Sequence, residues 1–179
     1  MTQLVTERLL LRRWREADRE AFARINADPR VMEFFPAPLT RDESDAMIDR
    51  FISHFAQHGF APWALEWRAT NELAGYVGLK YVRFEAPFTP AVEIGWRLAP
   101  EHWGSGLATE GAAAALRDGF DTVGLQEIVA FTTLANVRSQ RVMHKLSMTH
   151  DPRDDFDHPQ LPLGHPLRRN VLFRLRPPA

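Results

Sequence analysis

From residue 61 onward the apolar side chains fall at every second position. Trp63, Leu65 and Trp67 alternate with Ala64, Glu66 and Arg68. After the polar turn Ala69-Thr70-Asn71-Glu72 the chain resumes as Leu73 to Val82. Across Ala91 to Leu98, Val92, Ile94, Trp96 and Leu98 share one face while Glu93, Gly95 and Arg97 share the other. A period of two is that of a strand with one face in a core, and a short polar turn between two such runs makes a hairpin. Pro87 and Pro90 bracket the longer connection between the second and third runs.

Around this sheet the period is helical. Ala17, Ala21, Phe22 and Ile25 share a face between Glu16 and Asp28, and Asp28-Pro29 ends that helix because a residue before proline avoids the α region. Thr40 and Glu43 have the spacing of a capping box. Met47, Ile48, Phe51, Ile52 and Phe55 follow at helical spacing, and Gly59 supplies the stop. Thr109 to Phe120 reads as a small-residue helix and Asn136 to Lys145 as a short one. Leu9 to Arg12, Leu125 to Thr132 and Arg169 to Leu175 read as strands, and Ser147 to Pro166 mainly as loop. The expectation is one α/β domain over residues 1–179, with strands and helices mixed.

Length and composition narrow the classes. A chain of 179 residues buries enough surface to hold itself together without a metal or a disulfide. With no cysteine, a thiolate zinc site and a cysteine nucleophile are excluded. Twenty-two basic against 23 acidic residues leave a net charge of −1, and the arginines form no patch, so no nucleic-acid partner is expected. No run approaches the roughly 20 apolar residues of a membrane span, and the first residues lack a secretory signal, so a cytoplasmic protein with no membrane partner is expected.

The chemistry is concentrated in Ala99-Pro100-Glu101-His102-Trp103-Gly104-Ser105-Gly106-Leu107-Ala108-Thr109-Glu110, between a strand and a helix. Small residues at 104, 105, 106 and 108 let consecutive backbone N–H groups face one anion, and the following helix adds its unpaired N–H groups and positive dipole end. That suits a diphosphate; a plain tight turn is the other reading. A P-loop is excluded by the missing Gly-Lys-Ser/Thr. A dinucleotide fingerprint fails because position 109 is threonine and no second βαβ half follows.

These residues carry a resemblance. The sequence is similar to the GNAT superfamily of acyl-CoA-dependent N-acetyltransferases, and most to the branch of the ribosomal-protein N-terminal alanine acetyltransferases. The superfamily's pyrophosphate motif, Gln/Arg-x-x-Gly-x-Gly/Ala, falls on Trp103, Gly106 and Ala108, with tryptophan at its first position. Ala91-Val92-Glu93-Ile94-Gly95-Trp96 resembles the strand that holds the pantetheine arm. Asn136-x-x-Ser139-x-x-Val142-x-x-Lys145-Leu146-Ser147-Met148 resembles the helix beside the cofactor, with Ser147 where glycine is usual.

The resemblance implies a GNAT fold: a largely antiparallel mixed sheet of about seven strands, flanked by about four helices and splayed between the fourth strand, 91–98, and the fifth, 125–132. Acetyl-CoA as cosubstrate would lie in that gap, with no metal. Trp96, Arg97 and Leu98 would hold the pantetheine, and Trp103, Gly104, Ser105, Gly106, Leu107, Ala108 and Thr109 the pyrophosphate. Asn136, Ser139 and Arg141 would make further cofactor contacts. The implied acceptor is a primary amine, on a protein or peptide N-terminus or on a small molecule. A homodimer is compatible with the family. The alternative function is a GNAT-fold module that senses acyl-CoA without turnover.

An amine nucleophile must lose a proton, because an alkyl ammonium titrates near 10.4. Glu93, on the polar face of the strand beside the thioester, is the candidate base; a solvated glutamate paired with Arg97 is the competing reading. Ser139 is the candidate proton donor to the departing thiolate, or a pantetheine ligand. Both tyrosines, Tyr76 and Tyr81, precede the cofactor motifs, so a tyrosine acid after the fifth strand is absent. Phe35 and Trp63, with Phe34 and Phe88, are candidates for the acceptor wall. Asp154, Asp155, Asp157 and His158, near His150 and His165, would attract a cationic amine or form a solvated loop. Their spacing matches no calcium or zinc pattern, so no metal site is expected.

Overall fold

The computed structural model describes residues 3–177. Its strands are β1 (Gln3–Val5), β2 (Leu9–Arg12), β3 (Pro62–Trp67), β4 (Glu72–Tyr81), β5 (Val92–Leu98), β6 (Ile128–Thr133), β7 (Thr149–His150), β8 (Phe156–Asp157) and β9 (Arg169–Leu175). They make one sheet in the order β1-β2-β3-β4-β5-β6-β9-β7, with β8 also on β9. Every pairing is antiparallel except β5 with β6. The fourth and fifth strands of the sequence reading are thus β5 and β6. The sheet has nine strands rather than about seven, because β1, β7 and β8 are two or three residues long and too short to carry a period.

The four helices are α1 (Asp18–Ala27), α2 (Arg41–His58), α3 (Leu107–Asp121) and α4 (Val137–Lys145). Boundaries moved where a polar bond decides them. The carboxylate of Asp18 accepts the Arg15 N–H at 2.7 Å, which makes a turn of residues 15–18 and delays α1. The Leu125 N–H returns to the Gly119 carbonyl at 3.0 Å, closing α3 and postponing β6 to Ile128. The capping box at Thr40 and Glu43 is formed.

α3 covers one face of the sheet. Its Leu107, Ala112, Ala115 and Leu116 are buried with Leu9, Leu11, Leu65, Val77 and Ile94. The small residues let it lie close: a Cβ at Gly111 would stand 3.1 Å from Leu65 and Val77 side chains. The opposite face carries a second core of Phe22, Ile48, Phe51 and Tyr76, supplied by α1, α2 and β4. Register then sorts the remaining side chains. Arg12 pairs with Ala64, Ala64 with Tyr76, and Tyr76 with Arg97, so these four form one cross-strand row on the α1–α2 face. No helix among the described residues is long and apolar enough to cross a membrane.

Candidate active site

The sheet is tightly laddered on both sides of one seam. β4 and β5 pair at seven positions and β6 and β9 at six, whereas β5 and β6 share only Glu93–Val129. Past that pair the strands part, opening a cleft of about 730 Å³, within the size range of small-molecule and cofactor sites.

One end of the cleft is the turn into α3. Gly104 and Gly106 lie at φ +73° and +85°, the left-handed region that favours glycine. A Cβ on Gly106 would meet only the Arg8 guanidinium, at 3.6 Å, so the conformation demands glycine there and crowding does not. No side chain caps α3. The N–H groups of Leu107, Ala108 and Thr109, which line the cleft, have no intrahelical acceptor, and the helix dipole is positive there. Such a cradle fits the diphosphate of a coenzyme A.

The predicted cofactor residues are gathered with one exception. Trp96, Arg97, Leu98, Trp103, Gly104, Gly106, Leu107, Ala108, Thr109, Asn136, Ser139 and Arg141 all border the cleft. Ser105 does not: its hydroxyl bonds the His102 carbonyl at 2.8 Å and its own carbonyl accepts from Arg8 at 2.8 Å, so it braces the turn from behind. The Trp103 indole N–H is spent on the Leu98 carbonyl at 2.9 Å, and the Arg138 guanidinium lies over its ring at 4.5 Å. Arg138 in turn pairs with Glu33 at 2.6 Å. Asn136 caps α4 by accepting the Ser139 N–H at 3.1 Å, and it donates to the Thr132 hydroxyl at 3.0 Å. That second bond fixes α4 to the end of β6.

Glu93 lies in the wall of the cleft, buried, at the one paired position of the seam. Its partner is Lys80, directly opposite on β4, and not Arg97. Arg97 is four residues further along β5, roughly 13 Å at strand rise. Of the acceptor candidates, Phe35 borders the cleft and Trp63 does not. Trp63 pairs with Val77, so it points to the face opposite Tyr76, and it packs edge-on against Phe55 in the core. Alternation had placed Trp63 on a face, but only the pairing register says which face the cleft uses.

The same register brings in residues the motifs had passed over. Tyr76 and Lys80 stand across β4 from Arg97 and Glu93, and both border the cleft. Tyr76 precedes the cofactor motifs in sequence yet reaches the site through the β4–β5 hairpin. Phe84, Phe131 and His158 close the far wall, with the His158 ring 4.5 Å from Phe84. Burial, and the nearby Arg168, push the His158 imidazole below its ordinary value. The acidic tail is largely engaged in ion pairs and hydrogen bonds with its own surroundings. Asp154 pairs with Arg174 and Asp155 with His150, both at 2.7 Å, and Asp157 pairs with Arg168 and Arg169. Those carboxylates already have partners and do not border the cleft, which removes the reading of a lure for amines at the site. Among the described residues, no group of three His, Asp or Glu is arranged to hold a metal.

Comparison with known proteins identifies this splayed mixed sheet with an uncapped helix at its parting. The chain belongs to the acetyltransferase (GNAT) domain family, whose model matches residues 8–149, and it is an N-acetyltransferase. It is similar to the uncharacterized N-acetyltransferase YoaA of Bacillus subtilis, 29% identical over 145 residues and 80% of each chain. It is 33% identical over 140 residues to the FsC-acetyl coenzyme A-N(2)-transacetylase of Aspergillus fumigatus, covering 74% of this chain and 58% of that protein. The fold matches a GNAT-family acetyltransferase from Bacillus anthracis with a TM-score of 0.79 at 24% identity, covering 98% of both chains.

Proposed function

We propose that residues 1–179 act as one acetyltransferase domain that moves an acetyl group from acetyl-CoA to a primary amine by direct attack. The acceptor is a small-molecule amine or a peptide N-terminus, the latter in keeping with the motif likeness to the ribosomal-protein N-terminal acetyltransferases. The observation that carries this reading is the seam: a sheet held at Glu93–Val129 alone, with uncapped α3 amides beside the opening.

Acetyl-CoA supplies an acetyl thioester already activated toward a neutral amine. The N–H groups of 104–109 hold its diphosphate, with Arg141 near. The β5 edge around Trp96, Arg97 and Leu98, freed by the splay, offers backbone donors and acceptors to the pantetheine amides and to a carbonyl oxygen gaining negative charge. Asn136 orients α4 so that Ser139 meets the arm and returns a proton to the leaving sulfur. Glu93, directly or through a water, takes the proton that the acceptor's ammonium must lose. Phe35 forms part of the acceptor wall.

The test is a thermal-shift titration with acetyl-CoA together with free-thiol release on an amine panel. At 100 times Kd, the coenzyme should stabilise the fold by about 2.7 kcal/mol. A bulky β-branched residue in place of Gly106 should weaken that binding. A chain that acetyl-CoA leaves unshifted does not have this function; one that is shifted and turns over no amine would be a sensor.

A further inference from the structure

Two buried arginines stand at the ends of one cross-strand row, and the fold treats them differently. Arg12 is held between two buried carboxylates, Asp18 at 2.7 Å and Glu66 at 2.5 Å. Arg97 is equally buried, 6% exposed, and among the described residues no carboxylate lies within ion-pair distance of it. Its Nη1 donates to the Asn26 carbonyl oxygen at 2.6 Å and touches the Met47 sulfur at 3.9 Å, while its Nε has no partner. Burial lowers its proton affinity, with only the nearby Tyr76 working against this. A buried charge without a counter-charge is costly, and buried charges are as a rule paired.

The guanidinium is also held in place for such a ligand. Asn26, fully buried on α1, donates its amide to the Ser44 hydroxyl of α2 at 2.8 Å. That bond turns its oxygen toward Arg97, which can only donate. The neutral bracket occupies Nη1 and leaves the Nε–Nη2 edge, the side-on fork that receives a carboxylate. Phe35, from the loop after α1, covers the face of the guanidinium at 4.2 Å.

Arg97 shares its face of β5 with Glu93 and Gly95, and all three border the cleft. Gly95 leaves the space between the two charged side chains clear, with Tyr76 the nearest group at 3.9 Å from where a Cβ would stand. Seven of the side chains bordering the cleft are arginine or lysine, and Glu93 is the one carboxylate among them.

We infer that Arg97 is the acceptor-selecting residue: the physiological acceptor is an amine that also bears a carboxylate some distance away, an ω-amino acid or short peptide whose amine reaches Glu93 while its carboxylate closes on the unpaired edge of Arg97. This rests on the reading of the cleft as an acetyl transfer site, and it excludes polyamines and aminoglycosides as the favoured class.

The test compares ω-amino acids of increasing chain length with their own carboxamides, which present the same amine without the charge. With acetyl-CoA saturating, kcat/KM should favour the acid at least tenfold at the best length, mainly through KM. Arg97→Gln should bring that ratio close to one through KM for the acid, while any change in the Kd for acetyl-CoA, which meets Arg97 only through its backbone in the proposed pose, stays smaller than the change in that ratio; Arg97→Lys should retain part of the preference. Equal rates on acid and amide in the wild type, or a preference that survives Arg97→Gln, overturns the proposal. A second measurement needs neither a variant nor turnover: calorimetric titration of the wild-type protein with the N-acetylated acid and the N-acetylated carboxamide. Tighter binding of the acid by tenfold or more supports the anion site even if acetyl-CoA fails to bind and the transferase reading falls; equal binding sinks it.

Discussion

Arg8 grips Glu110 through both Nε and Nη2, each 2.7 Å from the same carboxylate oxygen, joining the start of β2 to the first turn of α3. The other oxygen accepts from the Thr6 hydroxyl at 2.6 Å and the Arg8 N–H at 2.9 Å. Burial works against the charge on Glu110, but these bonds outweigh it and hold the carboxyl below its ordinary value of 4.5. With a depressed folded value, the contribution to stability is present above about pH 4.5 and is lost as the pH falls through the folded value. Glu110→Ala should destabilise by about 2 kcal/mol near neutrality. It should also loosen acetyl-CoA binding, because Arg8 holds the Ser105 carbonyl of the cradle. Denaturant melts at pH 7 and pH 4 check the first point: the gap between variant and wild type should narrow in acid.

Arg12 sits between Asp18 and Glu66, all three buried. Arg12→Met would keep the bulk and leave the buried Asp18 and Glu66 with Arg15 alone, through its backbone N–H and its exposed guanidinium, so a loss of about 3 kcal/mol in urea unfolding is expected. The variant that also replaces both acids with apolar residues should recover much of it. A single substitution costing under 1 kcal/mol would show that the trio is not energetically coupled.

His54 bridges α2 to the sheet as a neutral ring. Its Nε2 accepts the Tyr81 N–H at 3.1 Å, which leaves Nδ1 to donate to the Phe60 carbonyl at 2.7 Å. Burial pushes the imidazole below its ordinary 6.5; the Phe60 bond opposes this, and His58, Arg83 and Lys80 add to it. The unfolded chain therefore binds the proton first. Stability is full above about pH 6.5 and declines as the pH drops below it, with His158 acting in the same direction. Unfolding midpoints at pH 7.5 and 5.5 should differ accordingly, and His54→Gln should shrink the difference.

Glu93→Gln keeps the shape of the side chain but removes its ability to take a proton. If Glu93 is the base, kcat falls by about 10²–10⁴ while the coenzyme Kd stays within twofold. Steady-state thiol release paired with a binding titration separates the two quantities. Unchanged turnover would assign proton removal to another group.

Much of this fold could be read from periodicity because each period was long enough to repeat. The alternation over 63–67 and 91–98, and the helical spacing of Met47 to Phe55, became β3, β5 and α2. The cradle was readable too, since Gly104 and Gly106 leave a local trace that needs no partner. What escaped was whatever depends on which strand lies beside which. Nothing near Thr6-Glu7-Arg8 announces a bond to Glu110, 102 residues away. Nothing around Trp63 shows that its face is the far one, and pairing of Glu93 with Lys80 rather than Arg97 follows only from the β4–β5 register. Ser147, flagged as standing in a glycine's usual place, does adopt φ +59°, so the backbone kept its turn although the residue changed.

The seam at Glu93–Val129 divides the chain into two leaves that are each nearly continuous in sequence, β1 to β5 and β6 to β9. Each leaf completes its own ladder, while the core beneath α3 draws side chains from both. Along their shared margin, beyond that one pair, the facing edges of β5 and β6 are not laddered to each other and border the cleft. If the proposed pose of the coenzyme holds, its pantetheine amides would take up part of the pairing that β5 and β6 do not give each other, so binding would stiffen the joint between the two leaves.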